Sequence, residues 1–114
     1  MTSRTARIAN NQAMFRVFNE RMTAWPERQE ADPTEKLIFY CECADAHCYA
    51  HVRLTAEDYE AIRLDSTRFA VAPGHVFPEA EHVVAEPDGY EIVEKNEDLR
   101  GLLEHADPRK GGRP

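Results

Sequence analysis

All three cysteines of this chain fall within eight residues, Cys41-Glu42-Cys43-Ala44-Asp45-Ala46-His47-Cys48. Thiolates are the ligands of choice for zinc, which holds them at about 2.3 Å in a tetrahedron, and a Cys-x-Cys pair followed by Cys-x4-Cys supplies three of them from one loop. A disulfide framework fits less well, because an odd count leaves one sulfur over. Unligated core cysteines are the plainer alternative, since cysteine is often buried for packing alone. Glu42 and Asp45 between the thiols argue against it, as a loop rich in acids does not read as a core segment.

A fourth ligand is sought among His47, His51, His75 and His82, or left to water. His47 neighbours Cys48, and adjacent residues of an extended loop point apart. His51 lies three residues beyond Cys48 but begins an alternating, strand-like run. His75 follows Pro73-Gly74, a rigid corner that would present it from a second loop, and it is the residue we expect; His51 and water stay open. A closed Cys3His zinc site carries a net charge of about −1 and is structural. With the fourth position open, Glu42 would serve as a general base of a zinc hydrolase; otherwise it reads as a solvated loop residue.

The elements that must position these residues form an α+β pattern: an N-terminal amphipathic helix, then a small antiparallel sheet with one or two short helices, stabilised by zinc. Ile8, Phe15, Phe18, Met22 and Trp25 recur at helical spacing and predict a helix that Pro26 stops. Its arginines fall mostly off that stripe. The stripe either packs on its own domain or, through Phe15, Phe18, Met22 and Trp25, docks onto a protein partner or a second copy. Residues 26–36, with two prolines and no large apolar group, read as a linker that leaves the helix semi-independent. Runs at 37–40 and 51–54 read as a hairpin whose turn carries the cysteines, and Thr55 as the N-cap of a short helix with Tyr59 and Ile62 inward. A strand over 68–72, a hairpin over 82–95 around Pro87-Asp88-Gly89 and a helix near 97–105 complete a zinc-binding domain over 37–106. Residues 107–114 read as a disordered basic tail.

With 114 residues the chain fits one small core, and 21 acidic against 14 basic residues give a net charge of −7. That balance makes nucleic acid an unfavourable partner, leaving the arginines of the first helix and the tail as its only basis. No apolar run is long enough to span a bilayer, and the start MTSRTARIANN lacks a signal peptide's apolar stretch, so a cytoplasmic protein is expected. The zinc-deaminase pattern, His-Glu-x-x-His and phosphate-binding glycine loops are all missing, which disfavours an enzyme. The first reading is therefore a protein-interaction or regulatory zinc module, responsive to redox state or zinc through its thiolates. A nucleic-acid-binding zinc module and a zinc hydrolase are the alternatives.

The chain also resembles a family of short uncharacterised proteins common in GC-rich bacteria. The resemblance rests on Phe15-Arg16-Val17-Phe18-Asn19-Glu20-Arg21, Phe39-Tyr40-Cys41-Glu42-Cys43 with Cys48, Leu54-Thr55-Ala56-Glu57-Asp58-Tyr59-Glu60, Arg68-Phe69-Ala70-Val71-Ala72-Pro73-Gly74-His75 and Tyr90-Glu91-Ile92-Val93-Glu94-Lys95. Eleven arginines against three lysines fit the same coding bias. The resemblance implies that Cys41, Cys43, Cys48 and His75 belong to one motif, and it brings no activity. Family members often carry glycine after the second cysteine, where this chain has Ala44.

Overall fold

The computed structural model describes residues 3–25, 28, 30, 32–45 and 47–110. Helix α1 spans Arg4–Thr23, and its first turn is capped by Ser3, whose hydroxyl accepts the Ala6 amide at 3.1 Å. Strands β1 (Lys36–Tyr40) and β2 (His51–Thr55) form an antiparallel pair in which Tyr40 faces His51. Thr55 then caps α2 (Ala56–Ile62) by accepting the Asp58 amide at 3.1 Å. Strands β3 (Arg68–Val71), β4 (Glu81–Ala85) and β5 (Glu91–Lys95) make an antiparallel sheet in the order β3-β5-β4. The β4–β5 turn uses Gly89 at φ +89°, a conformation that suits glycine. A 3-10 turn (Glu97–Leu99) leads into α3 (Arg100–His105), and a second 3-10 turn covers Pro108–Lys110.

The class is α+β as expected, with the strands divided between two sheets. The cysteine loop separates them. It runs along the outer edge of β3, where the Glu42 amide donates to the Ala70 carbonyl at 2.8 Å and the Ala72 amide donates to Cys41 Sγ at 3.1 Å. That contact satisfies an edge which would otherwise be open. One apolar cluster joins Ile8, Ala9 and Ala13 of α1 to Cys41, Cys43, Phe69, Val71, Val93, Leu99 and Leu103. A second lies under the β1–β2 hairpin, with Phe39 stacked on Tyr59 at 4.4 Å between ring centroids. Among the described residues no helix is long and apolar enough to cross a membrane.

Helix α1 is turned differently from the expectation. Its buried residues are Ile8, Ala9, Gln12, Ala13, Arg16 and Asn19, whereas Phe18 is 46% and Trp25 53% exposed; Phe15 and Met22 are half-buried on the flank. The buried polar groups have partners that the helix's own sequence does not reveal. Gln12 Nε2 donates to Glu81 at 3.0 Å, Arg16 donates to the Ser66 and Leu103 carbonyls and lies over the Phe69 ring at 4.5 Å. Asn19 both accepts the Tyr40 amide at 2.9 Å and donates to the Tyr40 carbonyl at 3.0 Å. A polar group bonded this way avoids most of the cost of burial, and the small Ala9 and Ala13 let the helix approach closely.

The helix is therefore part of the same core as residues 37–106 and not a detached element. In the segment read as a linker, residues 26, 27, 29 and 31 lie outside the described residues, while Arg28 sits over the Phe39 ring at 4.9 Å and donates to the Ile38 carbonyl. The first residues of the tail also pack on the fold. Asp107 is fully buried and receives Arg63 at 2.6 and 3.3 Å and the Ser66 hydroxyl at 2.6 Å. Arg109 bridges Glu60 and Glu20. Residues 111–114 of the expected disordered tail lie outside the described residues.

Candidate metal centre

Each ligand is placed by its own local device. Cys41 follows β1 directly, and its amide donates to the Ala50 carbonyl at 3.0 Å, continuing the hairpin one step beyond the strands. Cys43 follows along the β3 edge. The chain then reverses at Asp45, whose side chain accepts the His47 amide at 2.8 Å and whose carbonyl accepts the Cys48 amide at 3.0 Å. This Asx turn returns Cys48 toward Cys41. His75 comes from the far end of β3, where Gly74 at φ +82° makes the corner and the His75 amide closes it on the Ala72 carbonyl at 3.0 Å. Among the described residues no non-glycine residue has a positive φ, so the loop passes Ala44 without entering the left-handed region.

The ligand atoms of Cys41, Cys43, Cys48 and His75 all lie within 4.8 Å of one another. His75 Nδ1 is 3.5 Å from Cys41 Sγ and 3.6 Å from Cys48 Sγ. Cys41 and Cys43 are buried, while Cys48 and His75 are half-buried at the rim. The other histidines point elsewhere: His47 and His51 are exposed, His51 lying 5.5 Å from the Tyr40 ring, and His82 stands near Glu94 at 3.6 Å.

The Ala72 amide donates to Cys41 Sγ at 3.1 Å, and the nearby backbone amides of Cys43, Asp45 and Ala50 favour the anionic forms of Cys41, Cys43 and Cys48 respectively. Such donors stabilise anionic sulfur. The neighbouring Cys41 and Cys43 thiols are the largest influence on each other, drawing Cys41 below its ordinary range and, with burial, pushing Cys43 well above. Burial raises Cys48. A dication at the centre would neutralise the sulfurs as they lose their protons.

Glu42, between two ligands, is neither solvated nor placed as a base. It is wholly buried, and its carboxylate accepts Asn19 Nδ2 at 2.8 Å, the Tyr59 hydroxyl at 2.8 Å and the Ala70 amide at 3.1 Å. Burial pushes its pKa up against these bonds and the nearby Arg16 charge. Three donors converging on one side chain require an acceptor-only group, which is what a carboxylate is. Glu42 thus ties the metal loop to α1, α2 and β3. Asn11 adds a further clamp by donating to the Ala44 carbonyl at 3.3 Å. Reading the sequence missed this role of Glu42, Asn19 and Tyr59, whose partners come from separate elements. Compared with known proteins, the chain matches no family model, no curated protein and no solved structure.

Proposed function

We propose that this chain is a zinc-binding module in which zinc, held by Cys41, Cys43, Cys48 and His75, fixes the shape of a protein-interaction surface. The observation that carries the metal half of the reading is the convergence of three thiols and one imidazole, with Nδ1 at 3.5 and 3.6 Å from two sulfurs. A tetrahedron with metal–sulfur bonds of about 2.3 Å and metal–nitrogen bonds of about 2.0–2.1 Å has a sulfur-to-nitrogen edge of about 3.6 Å. The soft, sulfur-rich donor set favours zinc over the hard divalent cations. When bound, zinc supplies charge neutralisation and cross-linking. Four protein ligands fill its shell, which supports a structural role and leaves no position for substrate.

The interaction half of the reading is supported by the aromatic flank of α1, which the fold leaves outside the core. Thiolate ligation suits a reducing compartment, so we place the protein in the cytoplasm. Half-buried Cys48 is the ligand an oxidant reaches first, and its oxidation would release the metal, which gives the module a means of responding to redox state. Protein purified from cultures without added zinc should carry about one zinc per chain, and X-ray absorption should give three sulfurs and one nitrogen at those distances. Less than about half an equivalent, or a shell lacking three sulfurs, would overturn the reading.

A further inference from the structure

The two limbs that leave the cysteine loop, together with the flank of α1, enclose an apolar groove of about 400 Å³ lined by Phe15, Phe18, Tyr40, Cys48, Tyr49 and His51. Tyr49 is 84% exposed, and Phe18 and Tyr40 meet edge to face at 6.5 Å. Exposed aromatic surface of this extent is characteristic of binding faces.

The charges around the groove say what it binds. Six of the chain's cations are engaged by its own carboxylates: Arg4 by Glu79, Arg63 by Asp107 and Glu20, Arg68 by Glu94, Lys95 by Glu81, Arg100 by Asp65 and Glu97, Arg109 by Glu20 and Glu60. The outward face of the β1–β2 hairpin presents Lys36, Ile38 and Tyr40 opposite Thr55, Arg53 and His51, without a carboxylate. On α1 the sole acidic residue, Glu20, is turned toward Arg63 and Arg109, while exposed Arg21 stands one turn beyond Phe18. Among the described residues Arg21, Lys36 and Arg53 have no carboxylate partner. In a chain of net charge −7, three cations without a carboxylate partner thus stand on the face that carries exposed aromatics.

We infer that this groove docks an acidic, apolar peptide segment of a partner protein, an inference that rests on the interaction reading above and names its surface and ligand chemistry. An apolar side chain of the peptide fills the space between Phe18, Tyr40 and Tyr49, and flanking Asp or Glu residues meet Arg53, Lys36 and Arg21. A second copy fits poorly, because a two-fold contact would set these cations against themselves. An extended polyphosphate fits poorly as well, because the acidic remainder of the chain opposes it at long range, whereas a short peptide carries its few charges only where the cations are.

The test uses the zinc-loaded full chain to select from a displayed library of random peptides. Peptides with an aromatic or aliphatic residue flanked by Asp or Glu should be enriched. Phe18→Ser should weaken them about tenfold or more, and Arg53→Glu should shift the enrichment toward Lys and Arg flanks. Enriched peptides without acidic flanks, or insensitive to both changes, would overturn the groove while leaving an interaction module standing. A library that yields no binder would sink the interaction reading itself. Binding of single-stranded oligouridine that Phe18→Ser abolishes, or self-association in sedimentation with the same sensitivity, would replace the acidic peptide with nucleic acid or a second copy. Zinc measured on the same material keeps failure of the metal reading separate from all of these.

Discussion

Replacing Glu42 by Gln is the sharpest test of how the metal loop is held. The carboxylate accepts three donors, from Asn19, Tyr59 and the Ala70 amide. Glutamine has one oxygen. Its better placement keeps the Asn19 and Tyr59 bonds on that oxygen and turns the NH2 group toward the Ala70 amide, leaving one buried donor unmet at about 1–3 kcal/mol. The two retained bonds lose their charge assistance, which halves each. Relief from burying an anion offsets part of this, and about 2–4 kcal/mol of destabilisation remains. Because Glu42 lies between Cys41 and Cys43, zinc affinity should also fall, by about 10–100-fold as for other residues that orient ligands. Urea unfolding of the zinc-loaded protein and competition with a chromophoric chelator read the two effects. Tyr59→Phe should cost less in the Gln background than in the wild type, since the bond it removes has already been weakened. Stability within about 0.5 kcal/mol of wild type with unchanged zinc affinity would refute the account, and would mean that the carboxylate's burial cost cancels everything its bonds contribute.

Chelation should collapse the cluster that contains Cys41, Cys43, Phe69 and Val93, because structural zinc contributes on the order of 10 kcal/mol; amide resonances of residues 37–95 that stay dispersed after complete zinc removal would count against a structural site. Phe18→Ser should cost less than about 1 kcal/mol, since the ring is 46% exposed, whereas Arg16→Ala should cost about 3–5 kcal/mol by leaving Asp107 and two carbonyls short of a buried partner; thermal melts of the two variants compare them directly. Burial alone would raise the pKa of Asp107, but its bonds from Arg63 and Ser66 win and hold it at about 2. The folded state therefore binds that proton less readily than the unfolded one, and the carboxylate contributes stability above about pH 4, on the order of 2 kcal/mol near neutrality. This is lost as pH falls toward 2. The stability gap between wild type and Asp107→Asn should close over that window and stay constant above it.

The clustering of Cys41, Cys43, Cys48 and His75 was legible because its signal is local. Three cysteines in one loop announce chemistry by type and spacing, and Pro73-Gly74 announces a corner at His75 whatever surrounds it. The N-cap at Thr55 and the hairpin turn at Gly89 are local in the same sense. The inner face of α1 was not legible, because periodicity weighs residue types and this helix buries Gln12, Arg16 and Asn19 while leaving Phe18 and Trp25 outside. Their partners, the Glu81 carboxylate and the carbonyls of Ser66, Leu103 and Tyr40, come from distant segments that no helical pattern contains. The tail misled for the same reason: its composition reads as solvated until Arg63, 44 residues earlier in the chain, is seen to hold Asp107. Glu42 was misread because an acid between cysteines is ordinarily exposed, and only the meeting of Asn19, Tyr59 and Ala70 makes it a core residue.

The inverted helix connects the metal to the surface. Asn11 holds Ala44 at one end of the cysteine loop and Asn19 holds Tyr40 and Glu42 at the other, so α1 lies across the loop and is clamped on both sides of it. With its polar face committed there, the helix has only one orientation, which turns Phe15 and Phe18 toward Tyr40, Tyr49 and His51. Tyr40 and Tyr49 each adjoin a ligand, Cys41 and Cys48, so the groove's other wall is set by the same four-residue cluster. Binding at the groove and binding at the metal centre then share one rigid element, and linkage makes their influence mutual: a ligand that steadies the groove must tighten zinc by the factor by which zinc tightens that ligand. On the proposed function, loss of the metal would loosen the groove as well as the fold, and oxidation at Cys48 would reach a docked peptide by the same route.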